Sequence, residues 1–244
     1  MGRISETIKA LIIVNVIFFI GSSFLGDVAY KLFALFYFEN PNFQYWQPLT
    51  HMFMHGGLMH ILFNMYALWA FGSPLEQIWG RKKFLFFYFS AGLGAALIHT
   101  LVNYYQVQEG MNALLNIGIS QTEIMNMLNT GQYNSEILES VSVDRIEALY
   151  ASFNTPAVGA SGAIYGVLVA FGLMYPNAEL MLIFLPIPIK AKYFIPLIII
   201  GDLFFGITGA STGVAHFAHI GGALFGFIMA YYWKKNSFDS HRWN

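Results

Sequence analysis

The chain has 244 residues, of which 57% are hydrophobic, 18% aromatic and only 10% charged, with a mean hydropathy of +0.55. Soluble domains carry about 25% charged residues, so this composition excludes a disordered chain and a normal soluble enzyme. A formal net charge of −1 gives no basic field for nucleic acid, and the absence of cysteine excludes disulfides, thiolate zinc sites and cysteine nucleophiles. What remains is a multi-pass membrane protein.

Spanning helices need ~20 mostly apolar residues, and lipid permits little else because it offers no water to unpaired backbone groups. The first predicted span is 7–26. Arg3 and Lys9 at its start fit a signal peptide, but five further apolar stretches argue for an uncleaved helix. Glu6 sits where Met1-Gly2 would need Ser or Thr for myristoylation. An outer loop, 27–55, leads to the second span, 56–79, which carries His60 and Asn64 in its first two turns. Arg81, Lys82 and Lys83 precede the third span, 84–105.

A long segment, 106–155, follows, with six acids and one base, Arg145. Ser120 and Glu123 fit a capping box there. Val143, Ile146, Leu149, Tyr150 and Phe153 recur at helical spacing. Short amphipathic helices at the outer surface are expected. The fourth span, 160–175, covers only ~24 Å of a ~30 Å hydrocarbon core, so one end stops inside the membrane. Gly159 and Gly162 flank its outer end and place Ser161 at a helix N-terminus, below the surface, in a wet pocket. The fifth span, 193–208, contains Asp202, and the sixth, 214–233, contains His216 and His219. Ten of the twelve Lys and Arg residues fall at the N-terminus, in the 2–3 and 4–5 connections or after span six. By the positive-inside rule both termini are cytoplasmic and 27–55, 106–159 and 209–213 face out.

Polar groups inside spans are costly and mark function. Ser161, His219 and the pair His60/Asn64 come from three spans and fall at one depth. Gly162/Gly166 and Gly222/Gly226 are small-xxx-small pairs that let helix backbones approach closely. A neutral His219 can take the Ser161 proton as the hydroxyl attacks a carbonyl. The oxyanion can be met by the Ser161 backbone N–H, the Asn64 amide and the His60 ring. No acid is placed to orient the base: Asp202 reads as a structural hydrogen-bonding residue, and Tyr165, one turn beyond Ser161, is expected to stack on His219. His51 and His55 have the i,i+4 spacing of metal ligands but no carboxylates with them, so they read as structural. No metal and no cofactor is expected.

These residues resemble the rhomboid family of intramembrane serine proteases over nearly the whole chain apart from 106–155. The family's Gly-x-Ser-Gly appears as Gly159-Ala160-Ser161-Gly162. Its Ala-His with following glycines appears as Ala218-His219-Ile220-Gly221-Gly222, and its His-x-x-x-Asn as His60 to Asn64. Thr50-His51, His55 and Glu76-x-x-x-Gly80-x-x-x-Phe84 match as well. The family's outer-loop Trp-Arg pair reads Trp46-Gln47.

The resemblance implies an all-α membrane protein: a six-helix bundle, 1–236, with an outward helical insertion at about 106–155 between helices three and four, and a short cytoplasmic tail, 237–244. It implies a serine endopeptidase with a Ser161/His219 dyad that cuts single-span membrane-protein substrates within the lipid bilayer. His60, Asn64, Gly159 and Tyr165 are then its oxyanion and substrate-binding residues. The expected location is a bacterial plasma (inner) membrane. Oligomeric state is left open, and nucleic acid is not a partner. A packing-only Ser161, a non-enzymatic substrate binder and a histidine-rich metal protein are the competing readings. The first weakens because His219 and Asn64 reach the same depth as Ser161, and the second because nucleophile and base are both present.

Overall fold

Residues 4–182, 185–208 and 214–237 are described by the structure, a computed structural model. Arg3, the connection 209–213 and the tail beyond Ser237, with His241 and Arg242, lie outside them. The chain begins with α1 (Glu6–Leu25). Its first N–H groups have no partner within the helix, which an apolar setting does not tolerate. Glu76 supplies one: its carboxylate accepts from the N–H groups of Thr7 and Ile8, both at 3.3 Å, and from the Ser5 hydroxyl.

The following loop holds α2 (Asp27–Phe33), α3 (Gln47–Thr50) and a 3-10 turn, His51–Phe53. Gln47, in the Trp-Arg position of the resemblance, is fully buried. Its Oε1 accepts from the Phe36 N–H at 3.2 Å, and its Nε2 donates to the carbonyls of Lys31 (2.9 Å) and Asn42 (2.8 Å). Trp46 Nε1 donates to the Leu32 carbonyl at 2.7 Å. A neutral amide therefore anchors this loop at the position where the resemblance would place arginine.

The second predicted span is one helical run in three pieces: α4 (Leu58–Ala67), a π turn (Leu68–Gly72) and α5 (Ser73–Trp79). Pro74 cannot donate to the preceding turn, and the wider π turn absorbs that loss. Next, α6 (Arg81–Asn116) is 36 residues long. It does not end near 105 as expected; the first eleven residues assigned to the insertion continue the helix. Val107, Gly110 and Leu114 explain this, since they recur at helical spacing and are buried. A Cβ on Gly110 would lie 2.7 Å from the Leu149 Cβ, which fixes the close approach of α8 (Val143–Asn154).

Between these lies α7 (Gln121–Thr130), opened by the predicted capping box: Ser120 Oγ accepts from Glu123 N–H and the Glu123 carboxylate from Ser120 N–H. Ile124, Leu128, Ile146, Leu149 and Phe153 form a core with Val107 and Tyr37 that is separate from the main one. Val143 and Tyr150, the other members of the predicted stripe, are exposed. Four hydrogen bonds tie the outer loop to the end of this segment: Leu35 and Ala157 exchange two backbone bonds, and Asn40 Nδ2 donates to the Phe153 carbonyl at 2.9 Å and to Asn154 Oδ1 at 3.2 Å.

The central helix is α9 (Ser161–Met174), nine of whose fourteen residues are buried. It is followed by an antiparallel hairpin, β1 (Glu179–Leu182) and β2 (Leu185–Lys190), with Glu179 opposite Lys190 and Leu180 opposite Ile189. The fold is mostly helical, as expected, and this hairpin is an addition that the all-α reading did not include. Pro186 and Pro188 hide it in the sequence, because proline argues against a strand; both strands here are edges, where a missing donor is tolerated.

The chain ends with α10 (Ala191–Thr208) and α11 (His216–Ser237). Around α9 pack α6, α10 and α11. Among the described residues three helices, α1, α6 and α10, are long and apolar enough to cross a membrane. Ile13, Ile17 and Phe24 on α1 and Leu197, Ile200 and Phe204 on α10 are exposed, a surface that suits lipid and not water. This is an integral membrane protein.

Candidate active site

Backbone geometry at the start of α9 sets up the site. Gly159 has φ +126°, a region side chains rarely enter, and its N–H donates to the His51 carbonyl at 2.9 Å. A Cβ there would also lie 2.8 Å from His60 Nε2 and 3.4 Å from Ser161 Oγ. Only glycine leaves that space open, and it opens onto both side chains. Two residues on, after the N-cap Ala160, α9 begins at Ser161, so the hydroxyl stands on the first turn among N–H groups the helix does not pair.

Opposite Ser161, α11 presents His219. Its Nε2 is 2.8 Å from Ser161 Oγ. The approach depends on the paired glycines: a Cβ on Gly222 would collide with the Gly162 carbonyl, and one on Gly226 with the Gly166 backbone. The Tyr165 ring stacks on the His219 ring, with centroids 4.1 Å apart and planes at 13°. Both features follow the sequence reading.

One expectation fails. Asp202, on α10, is no bystander: its Oδ1 lies 3.1 Å from His219 Nδ1 and 2.5 Å from His216 Nδ1, and its Oδ2 accepts from the Tyr165 hydroxyl. It is buried, as is His219. The available signal was a lone carboxyl in an apolar helix together with two histidines three apart on another. Which way α10 is rotated was not legible. Asp202, His216 and His219 also offer three ligating atoms within 4.8 Å of one another. The 2.5 and 3.1 Å separations are those of hydrogen bonds.

On α4, His60 Nδ1 accepts from the Gly56 N–H at 3.3 Å, which leaves its proton on Nε2, the nitrogen beside Gly159 and Ser161. Asn64, one turn on, is buried, and its Nδ2 has no hydrogen-bond partner. Buried amides are nearly always paired, so this donor awaits an acceptor. His51 Nδ1–H donates to the Gln47 carbonyl at 3.0 Å and His55 Nδ1–H to that of Phe53 at 3.3 Å. Burial pushes both imidazoles down to about 4, His60 adding to the effect at His55. Each ring is thereby tied to the backbone of its own loop.

The Rhomboid domain family matches residues 42–236. This chain belongs to the rhomboid family. It is 32% identical over 179 residues to the presenilin-associated rhomboid-like protein, mitochondrial, of Bos taurus, covering 73% of this chain and 35% of that protein. It is 31% identical over 193 residues to the Homo sapiens protein of the same name, covering 77% and 39%. Against Rhomboid protease AarA of Providencia stuartii it is 26% identical over 196 residues, covering 76% and 55%. The rhomboid match thus spans between about a third and about half of these relatives' length.

Proposed function

We propose that this rhomboid is an intramembrane serine endopeptidase that cuts membrane-spanning segments of protein substrates. The observation that carries the reading is the 2.8 Å approach of His219 Nε2 to a serine hydroxyl at a buried helix N-terminus. Ser161 Oγ attacks the scissile carbonyl, and its proton passes to His219 Nε2. The oxyanion accepts from Asn64 Nδ2, His60 Nε2–H and the Ser161 N–H, and the α9 dipole favours it. His219 then returns the proton to the leaving amine, and water repeats the sequence in reverse on the acyl-enzyme. The unpartnered Asn64 amide supports this assignment.

The architecture proposed is one membrane domain, 1–236, of six spans, with the segment between α6 and α9 facing out and both termini on the cytoplasmic side. Basic-residue asymmetry supports the orientation. Among the relatives, names divide between mitochondrial proteins and a protease of the bacterium Providencia stuartii. A bacterial plasma membrane is the reading proposed, and reporter fusions at both termini in bacterial cells test membrane and orientation together. Substrates proposed are single-span helices. A helix must lose backbone hydrogen bonds before serine reaches it, so Gly- or Pro-weakened segments are preferred, and the glycine-lined site favours a small residue before the cut.

Purified protein, labelled with a fluorophosphonate and assayed on a transmembrane reporter, tests the reading. Ser161→Ala abolishes labelling and cleavage; His219→Ala abolishes cleavage while the protein stays folded. Turnover retained in either variant, or lost from the wild type on chelation, overturns it. The chelation arm addresses the Asp202, His216 and His219 cluster.

A further inference from the structure

We infer that Asp202 is a positioning residue for His219, so that the reacting pair is the end of a chain running Asp202–His219–Ser161 with Tyr165 and His216 holding the carboxylate. This rests on the reading of Ser161 and His219 as the proteolytic pair.

An imidazole has two neutral tautomers, and only one can act on Ser161. Nε2 must offer its lone pair to the serine hydroxyl, so the proton must sit on Nδ1. An ionised carboxylate only accepts, and Asp202 Oδ1 stands 3.1 Å from that Nδ1. The pairing therefore selects the competent tautomer. It also fixes the ring's rotation about its own axis, which stacking on Tyr165 leaves free.

Asp202 is itself held independently of His219. His216 Nδ1 donates to Oδ1 at 2.5 Å, and the His216 ring packs on Phe205, three residues beyond Asp202, with centroids 5.7 Å apart. The Tyr165 hydroxyl donates to Oδ2 while its ring stacks on His219. Tyr165 thus touches base and carboxylate at once. Both oxygens of a buried anion are engaged, the condition under which such a group is tolerated. A carboxylate that merely pinned α10 to α11 would need no contact with the ring nitrogen opposite Ser161.

The test uses the full chain in nanodiscs with selectively 15N-labelled histidine. In wild-type protein the spectrum should show His219 protonated on Nδ1. A proton on Nε2 overturns the inference without any variant. Asp202→Asn should mix the tautomers and lower kcat by roughly 10- to 1,000-fold, with KM changed by less than about threefold. Asp202→Glu should recover part of kcat. An Asp202→Asn protein with wild-type kcat, or one that loses kcat without any change at His219, overturns the inference. Ser161→Ala, run in parallel, separates the two claims. If it still cleaves, the proteolytic reading fails; if it is inert while Asp202→Asn is fully active, only the role of Asp202 fails.

Discussion

Single side chains in this protein carry unusual burdens because there is little water to relieve them. Asn64 is the clearest case. As an oxyanion donor, Asn64→Ala should lower kcat by about 10²–10³, less where His60 compensates. A kcat equal to wild type would reduce Asn64 to packing. Gln47 is the structural counterpart. It satisfies three backbone groups of the outer loop, and each buried group left unpaired costs about 1–3 kcal/mol. Gln47→Ala should therefore lower the thermal midpoint in detergent, whereas an unchanged Tm would mean that water replaces the amide.

His51 and His55 set the loop's acid response. Their folded-state values near 4 lie below the ordinary 6.5, so the unfolded chain binds protons first. The stability they contribute is whole above about pH 6.5 and is lost as pH falls toward 4. Tm should drop across that window, and His51→Asn should flatten the drop.

Helices divide into those the sequence declares and those it conceals. The start of α9 and the glycine faces of α9 and α11 are legible, because spacing along one helix fixes which residues share a face. Asp202 was visible as an oddity but not as a partner, since its bonds join α10 to α9 and α11 and depend on how three helices are rotated. The hairpin was hidden by two prolines. The length of α6 was hidden by its change of character: it leaves the apolar pattern near Asn103 yet continues, because α8 covers it. Helix packing also yields a sharp expectation. Gly222→Ala places a methyl group against the Gly162 carbonyl, and overpacking of this kind costs about 1–3 kcal/mol or more. Both Tm and fluorophosphonate labelling of Ser161 should fall. Gly201→Ala, where a Cβ meets nothing within 4 Å, is the control and should change neither.

At the scale of the molecule, the two larger hydrophobic cores among the described residues are distinct, with a small cluster of Leu35, Ala96 and Ala157 besides. One is the bundle around α9; the other joins α7, α8 and the end of α6. Replacing residues 119–150 with a flexible Gly/Ser linker should therefore spare probe labelling of Ser161. It should alter KM or cut-site choice for a membrane substrate if the segment borders the entrance. Unchanged kinetics would make it a passive insertion, and lost labelling would show that the bundle depends on it.

The 36 residues of α6 also have a mechanical meaning. At 1.5 Å each they make a rod of about 54 Å, nearly twice the ~30 Å thickness of hydrocarbon. Its first half forms a wall of the candidate site against α9 and α11, and its second half is the beam on which α8 is bolted. Helical structure runs unbroken through both halves. Whatever grips the upper part, an antibody fragment for example, is joined by one continuous helix to the wall beside Ser161.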